Sequence, residues 1–166
     1  MPSKSQKPTK AVREVNARIE ALLHTSAAYR KVENGLYVIK QGSCVVMIGV
    51  QPWKETHTVI RLTAQLVKGV TMEVPLALEL LELNSILRFG AFAWVPSSQA
   101  IVFSHTLLAR SLGDAEEFLD TIRDFAIVSD EYDDRIAARY GGSTMADLLE
   151  EEHMRLFGSG DHEMLK

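Results

Sequence analysis

The sequence predicts an α+β fold in which an antiparallel β-sheet is flanked by helices. Three observations support this prediction. Apolar residues recur at helical intervals near the N-terminus and again in a long segment after residue 113. Between residues 28 and 70, β-branched residues and alternation dominate, and turn dipeptides interrupt them. Of the 166 residues, 46% are hydrophobic and 24% are charged, which is typical of one globular domain.

The chain is predicted to begin with a basic arm and a helix. Residues 1–9 contain two prolines and no large apolar residue after Met1, so we expect this arm to be disordered. Apolar residues then follow one another at intervals of three, four and three, which predicts a first helix over residues 10–24. The residues of this apolar face are Val12, Val15, Ile19 and Leu22.

Four short strands are predicted next, and turn signals such as Asn34-Gly35 join them as hairpins. Successive hairpins make the pairing antiparallel. The third strand is apolar on both sides, so it lies in the middle of the sheet or its second face meets a partner. The four strands cover residues 29–33, 36–40, 43–50 and 57–67.

A second helix is predicted from Val74-Pro75, because proline fits the first turn of a helix. Its leucines extend beyond one face, and a single sheet cannot cover all of them. A second protomer would bury the remainder, so we expect a homodimer. The expected interface residues are Leu76, Leu80, Leu83 and Leu87.

The C-terminal half continues with a second hairpin over residues 90–95 and 100–108. A long third helix begins at Asp114 and ends at Gly141-Gly142. The predicted element order is α-β-β-β-(β)-α-β-β-α. We expect a single domain over residues 10–142, followed over 143–166 by a short helix and a loose tail. Thr144 and Asp147 are the expected caps of this short helix.

The sequence contains no recognisable catalytic motif: a phosphate-binding glycine loop, a nucleophile elbow, a cysteine pair and a zinc-binding His-Glu-x-x-His are all missing. Cys44 and His105 would permit a Cys-His nucleophile, but an inert buried thiol is the favoured interpretation. The acids within residues 130–134 are consecutive on a helix, which favours a solvated face over a metal site. We therefore predict no catalytic residue, cofactor or metal.

The charge distribution restricts the possible partners. Residues 114–152 carry thirteen acids and three bases, and the only basic run is the short arm, so nucleic acid is not an expected partner. The sequence shows neither a membrane-spanning stretch nor the apolar segment of a secretory signal. We expect a cytoplasmic protein that does not bind membranes.

The predicted protein-binding site is the final hairpin. Phe92 and Trp94 share one face of its first strand, whereas Ala91, Ala93 and Val95 share the other. A helix packs closely on small side chains, so we expect the aromatic face to be the more open one. Trp94 is the expected anchor for a segment of another protein.

Several short motifs follow one another in a characteristic order between residues 12 and 142. They include Leu83-Asn84, residues 89–92, residues 103–108, and Tyr132-Asp133-Asp134 with Gly141-Gly142. In this order they resemble the YbjN-like family, which is related in fold to type III secretion chaperones. The resemblance implies a type III secretion chaperone-like α+β domain that binds protein or peptide segments, tends to dimerise and has no catalytic residues.

These observations together predict a non-enzymatic protein-binding or peptide-binding module, chaperone-like or regulatory, that acts as a homodimer. The alternative is a small-molecule sensor or enzyme that uses a pocket between the sheet and the helices. A deep polar cavity in which an acid and a base converge would favour that alternative.

Overall fold

The structure is a computed structural model that describes residues 8–54 and 56–157. Within these residues, seven strands form one sheet and four α-helices pack around it. The helices are α1 (Lys10–Leu23), α2 (Val74–Ile86), α3 (Ala115–Tyr140) and α4 (Met145–Phe157), with a 3-10 helix at Ala109–Gly113. The strands are β1 (Tyr29–Glu33), β2 (Leu36–Gln41), β3 (Cys44–Trp53), β4 (His57–Lys68), β5 (Ala91–Val95), β6 (Ala100–Leu108) and β7 (Ser143–Thr144).

The sheet has the order β1-β2-β3-β4-β6-β5, and all of its pairings are antiparallel. The first four strands form a meander. After α2, the β5–β6 hairpin joins the free side of β4 and makes β5 an edge strand. The predicted fold class is confirmed, and so is the position of β3 inside the sheet.

The core lies on one face of the sheet. Alternate residues of β4, from Ile60 to Leu66, are fully buried there, and alternate residues of β3 from Cys44 to Val50 lie beside them. Helices α1, α2 and α3 contribute to the same apolar cluster. The predicted apolar face of α1 belongs to it: Val12 and Ile19 are buried, and Val15 and Leu22 are partly buried.

The β2–β3 turn is fixed to α3 by two acidic side chains. The N–H and the Oγ of Ser43 donate to Asp130 Oδ1 at 2.8 and 2.9 Å. The same Oγ lies 3.0 Å from Asp133 Oδ2. Gly42 has a φ of +51°, and a Cβ there would lie 2.2 Å from the Asp130 carboxylate. The interpretation of these acids as a solvated face is therefore wrong for Asp130 and Asp133, although Glu131 is exposed.

Burial has a clear electrostatic effect at this turn. Asp133 is fully buried, and burial raises its pKa to about 6. Burial also raises the pKa of the Cys44 thiol to about 12, with a further contribution from the nearby Asp133 charge. A thiol with such a high pKa remains protonated and unreactive at neutral pH, in agreement with the favoured sequence interpretation.

The segment after α3 continues to pack on the sheet. Strand β7 pairs with the end of β4 at Val67 and Lys68. The predicted short helix is confirmed as α4, and its capping residues are reciprocal: the Thr144 N–H donates to Asp147 Oδ2 and the Asp147 N–H donates to Thr144 Oγ1. Residues 1–7 and 158–166, on which most of the predicted arm and the predicted loose tail fall, lie outside the described residues.

Candidate functional site

Helix α2 is apolar on two opposite sides. Leu76, Leu80 and Leu83 are buried in the core, and Leu87, just after the helix, is partly buried against it. The other side carries exposed apolar residues: Val74, Leu78 and Leu81 are 72%, 61% and 65% exposed. We call these three residues the α2 stripe.

The position of the α2 stripe corrects the expected interface. The sequence assigned the partner-covered side to the leucines of the core side, but buried leucines cannot contact a second chain. An apolar pattern on two sides of a helix does not indicate which side the sheet covers. The presence of a dimer stays a prediction, and the side of α2 that is exposed to a partner is the α2 stripe.

Two polar contacts hold α2 in place. The Asn84 side chain donates from Nδ2 to the Phe92 carbonyl (3.2 Å), and its Oδ1 accepts from the Phe92 N–H (2.7 Å). This amide satisfies the backbone of edge strand β5 as a neighbouring strand would. In the middle of the helix, the Glu79 carboxylate accepts from Arg139 Nη1 (2.8 Å) and from the Tyr140 hydroxyl (2.5 Å).

The final hairpin has its aromatic residues on the covered face. Phe92 is buried against Phe103 and Tyr132, with ring centroids 4.9 and 5.2 Å apart. Trp94 is partly buried against the same core, whereas Ala91 and Ala93 are exposed. The expectation that the aromatic face is the more open one is wrong, because the large rings fill the space between sheet and helices. The role of Phe92 and Trp94 in protein binding stays a prediction.

The loop between α2 and β5 explains one of the motifs noted in the sequence. Gly90 has a φ of +76°, and a Cβ there would lie 2.6 Å from the Phe103 ring. Its N–H donates to His105 Nδ1 at 3.2 Å, and Phe89 contacts the same imidazole edge-on. Burial lowers the pKa of His105, which favours the neutral ring that can accept this bond. The structure does not bring His105 and Cys44 together, because His105 lies opposite Leu62 on β4 and Cys44 lies at the far end of β3.

An apolar groove runs between α2 and α3. Its deepest part is a hollow of about 220 Å³ with the buried rings of Phe103 and Phe125 at its base. Three exposed apolar side chains surround the hollow: Ile86 in the last turn of α2, Phe89 and Ile127. Ile86 also lines a second, more polar hollow of about 540 Å³ between the two helices. We call the first hollow and its three exposed residues the α2–α3 groove.

Within residues 8–54 and 56–157, no three His, Cys, Asp or Glu side chains lie close enough together to hold a metal ion. None of the helices described between residues 8 and 157 combines the length and the apolar character that crossing a bilayer requires.

An α+β domain whose most distinctive surface is an apolar groove belongs to the general class of protein-binding modules. Over residues 10–148, the chain matches the family described as T3SS (YopN, CesT) and YbjN peptide-binding chaperone 1. It therefore belongs to this family, and the resemblance stated from the sequence motifs is confirmed. No curated protein matches the chain significantly.

Proposed function

We propose that this protein binds an apolar segment of a client protein in the α2–α3 groove and performs no catalysis. The observation that supports the proposal is the concentration of exposed Ile86, Phe89 and Ile127 around one hollow. Isolated exposed apolar residues are common, but a rimmed apolar depression is typical of an interaction site. The peptide-binding family of the chain agrees with this assignment.

The groove favours an amphipathic helical client. It is bounded by the end of α2 with the loop that follows it and by α3, and a hollow of this kind accepts the large apolar side chains that such a client presents at helical spacing. Charges of both signs stand beside it, Arg88 and Asp124. These charges would select clients whose polar face is complementary, because rim charges contribute more to specificity than to affinity.

The functional unit in this proposal is a homodimer formed through the α2 stripe. A dimer with two-fold symmetry places two copies of α2 side by side, so that Leu78 of one chain meets Leu81 of the other. In that antiparallel arrangement, Glu73 before one helix lies near Arg88 after the other, and both side chains are exposed. Both the charge complementarity and the apolar pairing support a second copy of this chain as the occupant. Chaperone-like and regulatory roles in the cytoplasm are both compatible with such a client-binding dimer.

The groove is tested with a displayed library of helical peptides, selected on the wild-type protein. We expect the selected peptides to share large apolar residues at intervals of three and four. Ile86→Glu, at an exposed position, places a charge at the rim and should weaken their binding by about tenfold or more. Val32→Glu is the matched control, because Val32 is exposed on β1 at the opposite edge of the sheet.

Two outcomes of this experiment would contradict the α2–α3 groove as the binding site. Equal binding by the two variants, or selection of peptides without apolar spacing, would contradict the groove. Circular dichroism of both variants verifies that each is folded before binding is compared.

A further inference from the structure

A third hollow, which we call the basic pocket, lies at the end of the β3–β4 hairpin, and its lining shares no residue with the α2–α3 groove. It has a volume of about 720 Å³, within the range of about 300–1,000 Å³ that is typical of small-molecule sites. Its walls are α1, the hairpin and the 3-10 helix Ala109–Gly113. Its apolar wall includes Val15, Leu108 and Leu112.

The described side chains that line this pocket are mainly cationic, whereas the whole chain has a net negative charge. The protein has a net charge of −4, yet Arg18, Lys54 and Arg110 line the pocket together with His57. Among the described residues of the lining, the one carboxylate is that of Glu14, which lies 3.7 Å from Lys10 Nζ. Among the residues that the structure describes, neither Arg18 nor Arg110 has a carboxylate partner. The described residues of the lining therefore carry more positive than negative charge.

A buried hydroxyl in the same wall lacks a partner. Thr58 is only 5% exposed, and its Oγ1 has no hydrogen bond within the described part of the chain. Buried polar atoms nearly always have a partner, so an unpartnered hydroxyl in a pocket wall indicates a polar group that binds there. The other unpartnered atom of this kind, Asn16 Oδ1, is not in the lining of the pocket.

Lys54, near the tip of the β3–β4 hairpin, has an unusual backbone conformation. Lys54 has a φ of +56°, which is uncommon for a residue with a side chain. Its Nζ lies 4.6 Å from the centroid of the exposed Trp53 ring, which in turn contacts His57 edge-on at 5.7 Å. Lys54, Trp53 and His57 thus form a contacting group of one cation and two rings at the pocket edge, and local strain of the kind seen at Lys54 is found at ligand-binding sites.

We propose that this pocket binds a small organic anion with at least two negative charges, such as a phosphorylated metabolite. Guanidinium groups bind phosphate and carboxylate oxygens with paired hydrogen bonds, and the apolar wall accommodates the organic part of the ligand. Thr58 Oγ1 supplies a neutral hydrogen bond beside the cations. An acidic peptide would satisfy the same charges, but the volume of the pocket and the buried hydroxyl in its wall favour a small ligand.

Binding is tested by calorimetry with inorganic phosphate, ATP, glucose 6-phosphate, citrate and a polyglutamate peptide. We expect at least one of the organic anions to bind and its affinity to fall when salt is raised. In Trp94→Phe protein, which retains Trp53 as the only indole, the same titration should change the tryptophan fluorescence. Trp53 lines the pocket, so this signal reports the site itself.

Substitutions inside and outside the pocket test where the anion binds. Arg18→Gln and Arg110→Gln should each weaken binding by about tenfold. Arg123→Gln removes the same charge from an exposed position on α3 and should leave the affinity unchanged. Thr58→Val should raise the melting temperature of the free protein and also weaken binding, whereas a purely structural hydroxyl would change only the melting temperature.

Three results would overturn the proposal. The first is that none of the organic anions binds to the wild-type protein. The second is that Arg123→Gln weakens binding as much as Arg18→Gln does, which would indicate unspecific charge attraction. The third is that only polyglutamate binds, which would assign the pocket to an acidic peptide. The α2–α3 groove is unaffected by each of these results, because the two sites share no residues.

Discussion

Helices α2 and α3 cover the same face of the sheet, but they differ in what their outward sides carry. The outward side of α3 is charged, and its inward side includes the buried Phe118 and Phe125. The outward side of α2 is the apolar α2 stripe, although its inward side is also apolar. Folding of one protomer accounts for all the large apolar residues of α3 except exposed Ile127, which lies in the α2–α3 groove. It leaves the α2 stripe uncovered, and this difference is the reason why we propose a partner for α2 and not for α3.

The largest effect on stability is expected for Phe125→Ala. If this change had little effect, the inward side of α3 would not be needed for folding, and the contrast with α2 would be lost. The Phe125 ring stacks on Phe103 with centroids 4.6 Å apart and is almost fully buried. We expect the free energy of unfolding to fall by about 3–5 kcal/mol, because the change removes a packed ring and leaves a cavity. Urea denaturation measures the loss. A change below about 1 kcal/mol would show that the base of the groove is loosely packed.

The second test concerns the attachment of α2 to the hairpin. Asn84→Ala removes both hydrogen bonds to the Phe92 backbone and leaves an N–H and a carbonyl without partners. We expect a loss of about 2 kcal/mol in the free energy of unfolding. Ser85→Ala on the exposed side of the same turn is the control and should change stability by less than about 0.5 kcal/mol. If the two variants were equally stable, Asn84 would not be what fixes α2 to β5.

Some elements of the fold could be predicted from the sequence and others could not, for physical reasons. Periodicity locates the strand β4 and the apolar face of α1, because each has one buried side. It could not decide which face of β5 the helices cover, since Phe92 and Ala93 are both compatible with a covered position. Strand β7 has only two residues, which is too short to show any period.

The candidate sites were harder to predict than the fold. Asp133 was interpreted as solvated, although it follows the buried Phe125 and Ser129 at intervals of eight and four and therefore lies on the inward face of α3. That spacing was a usable signal. The basic pocket had none, because Arg18, Lys54 and Arg110 come from three distant segments that only the folded chain brings together.

The third test measures how the contribution of Asp133, the buried acid of α3, to the free energy of unfolding depends on pH. The pKa of Asp133 is raised by burial to about 6, above its ordinary value of 3.8. Between these values the folded state holds a proton that the unfolded chain has lost. The contribution of Asp133 to stability is therefore fully present below about pH 4 and is lost as pH rises to about 6.

Asp133→Asn removes this loss, because an amide does not ionise and can still accept the Asp134 N–H. We expect the variant to gain about 1–2 kcal/mol on the wild-type protein between pH 4 and pH 7.5. Glu131→Gln, on the exposed side of α3, should run parallel to the wild type over the same range. Parallel curves for Asp133→Asn as well would mean that Asp133 has an ordinary pKa.

The smallest effect on folding, and the most informative one for the comparison, is expected at the α2 stripe. Leu81→Ser should change the free energy of unfolding of the protomer by no more than about 0.5 kcal/mol, because the Leu81 side chain is largely exposed. It should nevertheless weaken dimerisation, because a hydroxyl replaces the side chain that meets Leu78 of the second copy in the proposed dimer. Light scattering after size exclusion should give the mass of a dimer for the wild type and of a monomer for Leu81→Ser. Leu149→Ser, at an exposed leucine of α4, serves as the control and should remain dimeric. A monomeric wild type would rule out the dimer, and a dimeric Leu81→Ser would place its interface elsewhere, so that the exposed leucines of α2 would need another partner.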